Sequence, residues 1–221
     1  MEAITFEQIK NDENIREYIR RADRNLAQMG YTKHSFGHVT KVAEGAAEIL
    51  SALGYDERTV ELARIAGFLH DIGNVVNRVD HAQSGAIMAF QLLLAMGMPA
   101  KETAYVVSAI GHHDEGTAFP VNAIAAAVIL ADKSDVRRSR VRNKDISTFD
   151  IHDRVNYAVE KSSLILNRGA RTISLILSID TSICAVMDYF EIFLTRMMLS
   201  KRAAEYLELS FKLEINGTQF L

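Results

Sequence analysis

With 221 residues, 48% of them hydrophobic, the chain is long enough to bury one sizeable core, or a core plus a small appendage. A net charge of −3 gives no electrostatic case for binding a nucleic-acid polymer without regard to sequence, and none is expected as a partner. The single cysteine, Cys184, excludes an intrachain disulfide, and the most apolar segment, 86–100, is too short to span a bilayer. The opening stretch is charged and lacks the apolar run of a signal peptide, so a cytoplasmic protein that avoids membranes is expected.

In chain order, residues 7–29 read as a charged helix closed by Gly30. Residues 36–53 carry Val39, Val42, Ala46, Ile49 and Leu53 at a helical period and stop at Gly54. Asp56 opens a helix to about Asp71, stopped near Gly73, and further helices are expected over 81–96, 99–113 and 121–138. Helix after helix with short connections predicts a mainly α fold, a bundle over residues 1–145.

The pattern then changes. Residues 172–180 alternate strictly, with Ile173, Leu175, Leu177 and Ile179 on one face of a half-buried strand. Residues 155–166 are ambiguous, although the turn-like Asn167, Arg168 and Gly169 favour a hairpin. Asp180, Thr181 and Ser182 offer caps ahead of a long helix to about Tyr206. Residues 207–215 alternate again and end in the turn signal Asn216–Gly217. A small α+β appendage of unassigned role is expected over 150–221, and its strands leave a homo-oligomer open.

Five of the seven histidines fall in one order with two aspartates: His38, His70 and Asp71, His81, His112 and His113, then Asp132. His38 shares a helical face with Val42, Ala46 and Ile49, and Asp132 lies inside the apolar run 124–131. A carboxylate on a core-facing stripe costs several kcal/mol unless it is paired or bound to metal. One divalent ion relieves that cost for a whole set of buried ligands. Imidazole and carboxylate together suit iron, manganese, zinc, cobalt or nickel, and seven candidates are more than one ion needs. Two ions sharing Asp71 fit the count, with iron or manganese first and nickel, cobalt, zinc or magnesium as alternatives.

Around this set lie residues suited to phosphate. Lys133 adjoins Asp132, and Arg137 and Arg138 follow closely, with Arg140 and Arg142 behind them. Asn74 and Arg78 flank the His70–Asp71 pair in a loop, and His34 lies one helical turn before His38. Substrate contacts are expected from Lys133, Arg137, Arg138, Asn74, Arg78 and His34, and catalytic roles from Asp71 and Lys133.

The segments HVTKVA at 38–43, FLHDIGN at 68–74 and ILADKSD at 129–135 carry the order in a form that resembles the HD-domain superfamily of metal-dependent phosphohydrolases. The resemblance implies a helical bundle with a first metal on His38, His70, Asp71 and Asp132. It implies a second on His81, His112 and His113, with Asp71 bridging. The implied activity is hydrolysis of a small phosphate ester, a nucleotide, dinucleotide or phosphomonoester, by a metal-held hydroxide. The segment HHDEGTAFP at 112–120 lacks the Gly-Tyr-Pro signature of the cyclic-di-GMP subgroup. Two other outcomes stay open: a di-iron oxygenase on the same scaffold, and a non-catalytic binding module stabilised by metal.

Overall fold

Short polar side chains decide where the helices begin. In the computed structural model, which describes residues 3–221, Thr5 and Gln8 form a capping box at α1 (Phe6–Asn11). The first two residues of the expected helical domain lie outside that range. Asp12 ends α1 in an extended conformation and accepts from Ile15 N to start α2 (Glu13–Gln28). The single helix expected over 7–29 is therefore two, because a mid-segment aspartate bonds to local backbone and stops one helix as it caps the next.

Next come α3 (Phe36–Leu53), closed by Gly54 at φ 84°, and α4 (Glu57–Leu69), capped by Asp56. A 3-10 turn over Ile72–Val75 leads to α5 (His81–Ala95), followed by α6 (Ala100–Gly111) and α7 (Ala123–Ser134). The helix expected to reach residue 138 ends at Ser134, because Asp135 leaves the helical conformation and its carboxylate is drawn into ion pairs with His38, Lys41 and Arg137.

The ambiguous segment divides into α8 (Ile151–Ala158) and β1 (Val159–Asn167), and β1 pairs antiparallel with β2 (Thr172–Ile179) as the hairpin signal implied. Asp180 Oδ1 accepts from Ser182 N in a self-contained turn, so α9 (Val186–Tyr206) starts later than expected, on Ala185 and without a side-chain cap. It crosses over to β3 (Ser210–Ile215), parallel to β2, and a turn at Asn216–Gly217 returns the chain as β4 (Thr218–Gln219). The sheet order is β1-β2-β3-β4.

Ile173, Leu175, Leu177 and Ile179 join Phe211, Leu213 and Ile215 on the buried face of the sheet. One continuous core runs from the bundle into this sheet. Among the described residues no helix is long and apolar enough to cross a membrane.

Small residues set the spacing of the bundle. A Cβ at Gly67 would lie 2.8 Å from Ala43 Cα, so α4 rides directly on the backbone of α3. A Cβ at Gly45 would meet the Ala131 Cβ of α7 at 3.2 Å, a tight contact with a small side chain rather than with backbone. These approaches bring the polar ends of three helices together.

Candidate metal centre

His38 comes from α3, His70 from the end of α4, and Asp132 from the last turn of α7. Asp80, held at φ 56°, bends the short loop that delivers His81 to the same centre. His113 follows the end of α6. Each of these four histidines has its Nδ1 tied to a protein acceptor. His38 donates to Asp135 Oδ2 at 2.8 Å, His70 to Gly67 O at 2.7 Å, His81 to Arg78 O at 3.0 Å and His113 to Ile110 O at 2.6 Å. Such bonds fix the ring orientation, so every Nε2 is the nitrogen turned inward toward the centre.

Asp71 stands between two pairs. Its Oδ2 is 3.4 Å from His38 Nε2 and 3.2 Å from His70 Nε2, and its Oδ1 is 3.4 Å from His81 Nε2 and 3.9 Å from His113 Nε2. Asp132 Oδ1 closes the first pair, 3.3 Å from His38 Nε2 and 3.7 Å from His70 Nε2. Six side chains thus form three overlapping groups with ligand atoms mutually within 4.8 Å: His38, His70 and Asp71; His70, His113 and Asp132; Asp71, His81 and His113.

The donor set fits a metal because it is incomplete without a cation. His38 Nε2, His70 Nε2 and Asp71 Oδ2 are buried with no hydrogen-bond partner among the described residues. The Nε2 atoms of His81 and His113 face each other at 3.1 Å. Protons partly fill the deficit. Burial opposes a charge on His70, but Asp71 and Asp132 overcome it and raise its pKa to about 10. Burial likewise opposes ionisation of Asp71 and Asp132, yet His70 beside the first and Lys133 beside the second hold both well below the usual carboxylate range. His113 moves the other way, lowered by burial and by the charges of His70 and Lys133.

The remaining expected residues divide by location. Lys133 is buried, with Nζ 2.7 Å from Asp132 Oδ2 and 3.4 Å from Glu115 Oε1. Asn74 donates to Asp71 Oδ1 at 2.9 Å and so fixes that carboxylate. Arg78 reaches Asn74 Oδ1 and His81 Nε2 at 3.4 and 3.3 Å. His34 sits at the rim, its Nε2 4.0 Å from Asp71 Oδ2, and burial lowers its pKa so that it stays neutral at pH 7.

Three expected residues are not drawn in. His112, at the end of α6, belongs to none of the three ligand groups, because its neighbour His113 takes the inward position. Arg137 pairs with Asp135, and Arg138 donates to Tyr157 O and covers the Tyr157 ring.

Sequence reasoning missed Asp135 as the acceptor for His38. Its carboxylate is fully buried and also meets Lys41 at 2.9 Å and Arg137 at 2.8 Å. A second aspartate three places after Asp132 was the only signal. Arg196, on α9, lies 2.6 Å from Glu115 and had no signal at all.

Comparison with known proteins covers the same ground. Ribonuclease Y of Opitutus terrae is 30% identical over 134 residues, 60% of this chain and 24% of that protein. Ribonuclease Y of Geobacillus thermodenitrificans is 32% identical over 119 residues, 54% of this chain and 21% of that protein. The chain therefore spans about a fifth to a quarter of the length of these curated relatives. A crystal structure titled as a predicted HD superfamily hydrolase, from an uncultured Thermotogales bacterium, is 30% identical and covers 59% of this chain and 73% of that one, with a TM-score of 0.45. The HD domain model matches residues 35–154, more than half the chain, and takes in all six clustered ligands. The chain belongs to the HD domain family.

Proposed function

We propose that the chain is a metal-dependent phosphohydrolase, acting on a small phosphate ester such as a nucleotide or a phosphomonoester. The observation that carries the reading is Asp71, whose two oxygens face two separate histidine pairs, with His38 Nε2, His70 Nε2 and Asp71 Oδ2 buried without a partner among the described residues on one side and the Nε2 atoms of His81 and His113 face to face on the other. His38, His70, Asp71 and Asp132 would hold one ion, and His81 and His113 would hold a second with Asp71 shared; iron and manganese are the first choices. Bound there, divalent ions would supply Lewis acidity toward a phosphoryl oxygen and lower the pKa of water.

The protein's own groups do the rest. Asn74 holds the Asp71 carboxylate by donating to Oδ1, and Lys133 keeps Asp132 ionised. His34, neutral and with Nε2 aimed at the centre, is placed to take or return a proton at that atom. Arg78, a quarter exposed beside His81, is placed to offset phosphate charge.

The test is turnover of a panel of phosphomonoesters and phosphodiesters by manganese- or iron-loaded protein, beside Asp71→Ala of verified fold. Turnover in the parent and its loss in the variant is the expected result. Equal activity in both would remove Asp71 from the reaction. A second reading is cleavage of RNA phosphodiesters, favoured by the name of the ribonuclease Y relatives, and a single-stranded RNA oligonucleotide in the same panel separates the two.

A further inference from the structure

The helix α9 lies outside the family match, yet it sends a cation to the centre. Glu115, in the loop after α6, is 3.4 Å from Lys133 Nζ and 2.6 Å from Arg196 Nε. One carboxylate thus links the cation beside Asp132 to a guanidinium of the appendage.

Arg196 also lines a cavity of about 410 Å3 between the bundle and α8. His34 and Arg78 belong both to this cavity and to the rim of the metal centre, so the two spaces adjoin. Of the three arginines in its wall, Arg140 is buried and bonded to Lys33 O and Asp135 O. Arg78 and Arg196 keep 24% and 27% of their side chains exposed, which leaves both able to meet a ligand. Arg196 engages Glu115 through Nε, and among the described residues its terminal nitrogens make no hydrogen bond. Those nitrogens are the part of the fork that suits a phosphate. Tyr31, exposed at 44%, adds an aromatic face beside Arg78. The volume is at the small end of ligand pockets, enough for one phosphorylated unit.

We propose that this cavity is the substrate pocket and that Arg196, together with Arg78, binds the phosphate, so that the appendage completes a site for a monophosphate of single-nucleotide size. The chemistry to be done there rests on the phosphohydrolase reading; the binding does not. Asp150, whose carboxylate caps α8, and Asp153 line the α8 side beside His152, and their negative charge disfavours a second anionic group there.

The test is calorimetric binding of inorganic phosphate to the manganese-loaded full chain. Arg196→Gln is expected to weaken it by about tenfold or more, the loss of one charge-assisted contact, and Arg196→Lys by less. Arg154→Gln, which breaks the 3.9 Å α8–α9 pair with Asp188 away from the cavity, is expected to leave it unchanged. If Arg196→Gln does not fold, Arg196→Lys decides, since it keeps the charge opposite Glu115 but loses the fork. Parent-like phosphate affinity in the deciding variant, or no phosphate binding by the parent, overturns the assignment. Arg196-dependent phosphate binding without turnover of any ester would overturn the hydrolase reading and leave the pocket. Turnover with phosphate affinity indifferent to Arg196 would do the reverse.

Discussion

Where α3, α4 and α7 meet, the bundle buries His38, His70, Asp71, Asp132, Lys133 and Asp135, whereas the inner face of the appendage sheet buries Ile173, Leu175, Leu177, Ile179, Phe211, Leu213 and Ile215. Both regions exclude water, but they are held by different forces. The sheet gains from removing apolar area from water, a term indifferent to ions and nearly so to pH. The bundle carries charges whose desolvation is repaid only by partners, and its set of partners is short of a cation. Stability and metal occupancy are therefore linked on one side of the molecule and separate on the other.

Substitutions can set the two apart. The largest effect is expected from the sheet: Leu213→Ala, at a fully buried position paired with Leu175, should cost about 2–5 kcal/mol in denaturant unfolding and leave metal content per folded chain unchanged. A joint loss of metal would show that the two regions are not separable. Gly67→Ala should cost less, about 1–3 kcal/mol of overpacking, because the new Cβ meets the backbone of Ala43 and must push α4 from α3. It moves His70 relative to His38, so metal binding should suffer beyond what the stability loss explains. Titration with manganese against an unfolding curve of the same sample separates the two effects.

Asp135→Asn is a finer probe. The residue touches no other ligand of the cluster than His38, yet a weaker acceptor for Nδ1 should lower metal affinity by about 10–100-fold. An unchanged isotherm would make Asp135 a partner of Lys41 and the arginines alone.

The smallest effect per step is in pH. In the metal-free chain the raised pKa of His70, about 10, means that its proton stabilises the fold fully below the ordinary histidine range and ceases to do so as pH climbs through 10. A metal ion must displace that proton. The pKa of His38 in the same group is also raised, so apparent affinity should rise at least roughly tenfold per pH unit above neutrality while one or more protons are released per chain. Calorimetry in two buffers of different ionisation enthalpy counts the protons, and a count of zero at pH 8 would show His70 already neutral.

The sheet and the ligand order were legible for related reasons. Strict alternation over Ile173 to Ile179 has one structural meaning, and His38, His70 and Asp132 each stood on an apolar stripe that a charged side chain enters only with a partner. Gly54 at φ 84° marked the end of α3 as its residue type announced. What escaped was the choice among equivalent polar bonds. Asp12 could continue a helix or cap one, and the group Asp180 to Ser182 could cap α9 or close on itself; only the backbone conformation decides. Arg137 and Arg138 read as phosphate ligands because a basic run does not reveal that Asp135 and Tyr157 already occupy its donors. Arg196 escaped for a different reason. Its partner Glu115 lies in another region of the chain, and a single long-range ion pair leaves no periodic trace.

The most direct test of the central claim, that six side chains from separate elements converge to hold metal, is elemental analysis of anaerobically purified protein. Parent chain and Asp71→Ala should be analysed together, each with its helical content verified by circular dichroism. At least one, and with both proposed ion sites filled two, transition-metal ions per parent chain are expected, with loss from the folded variant. A parent chain that stays metal-free after incubation with iron or manganese, and whose melting temperature is the same with either ion as with a chelator, would contradict the account.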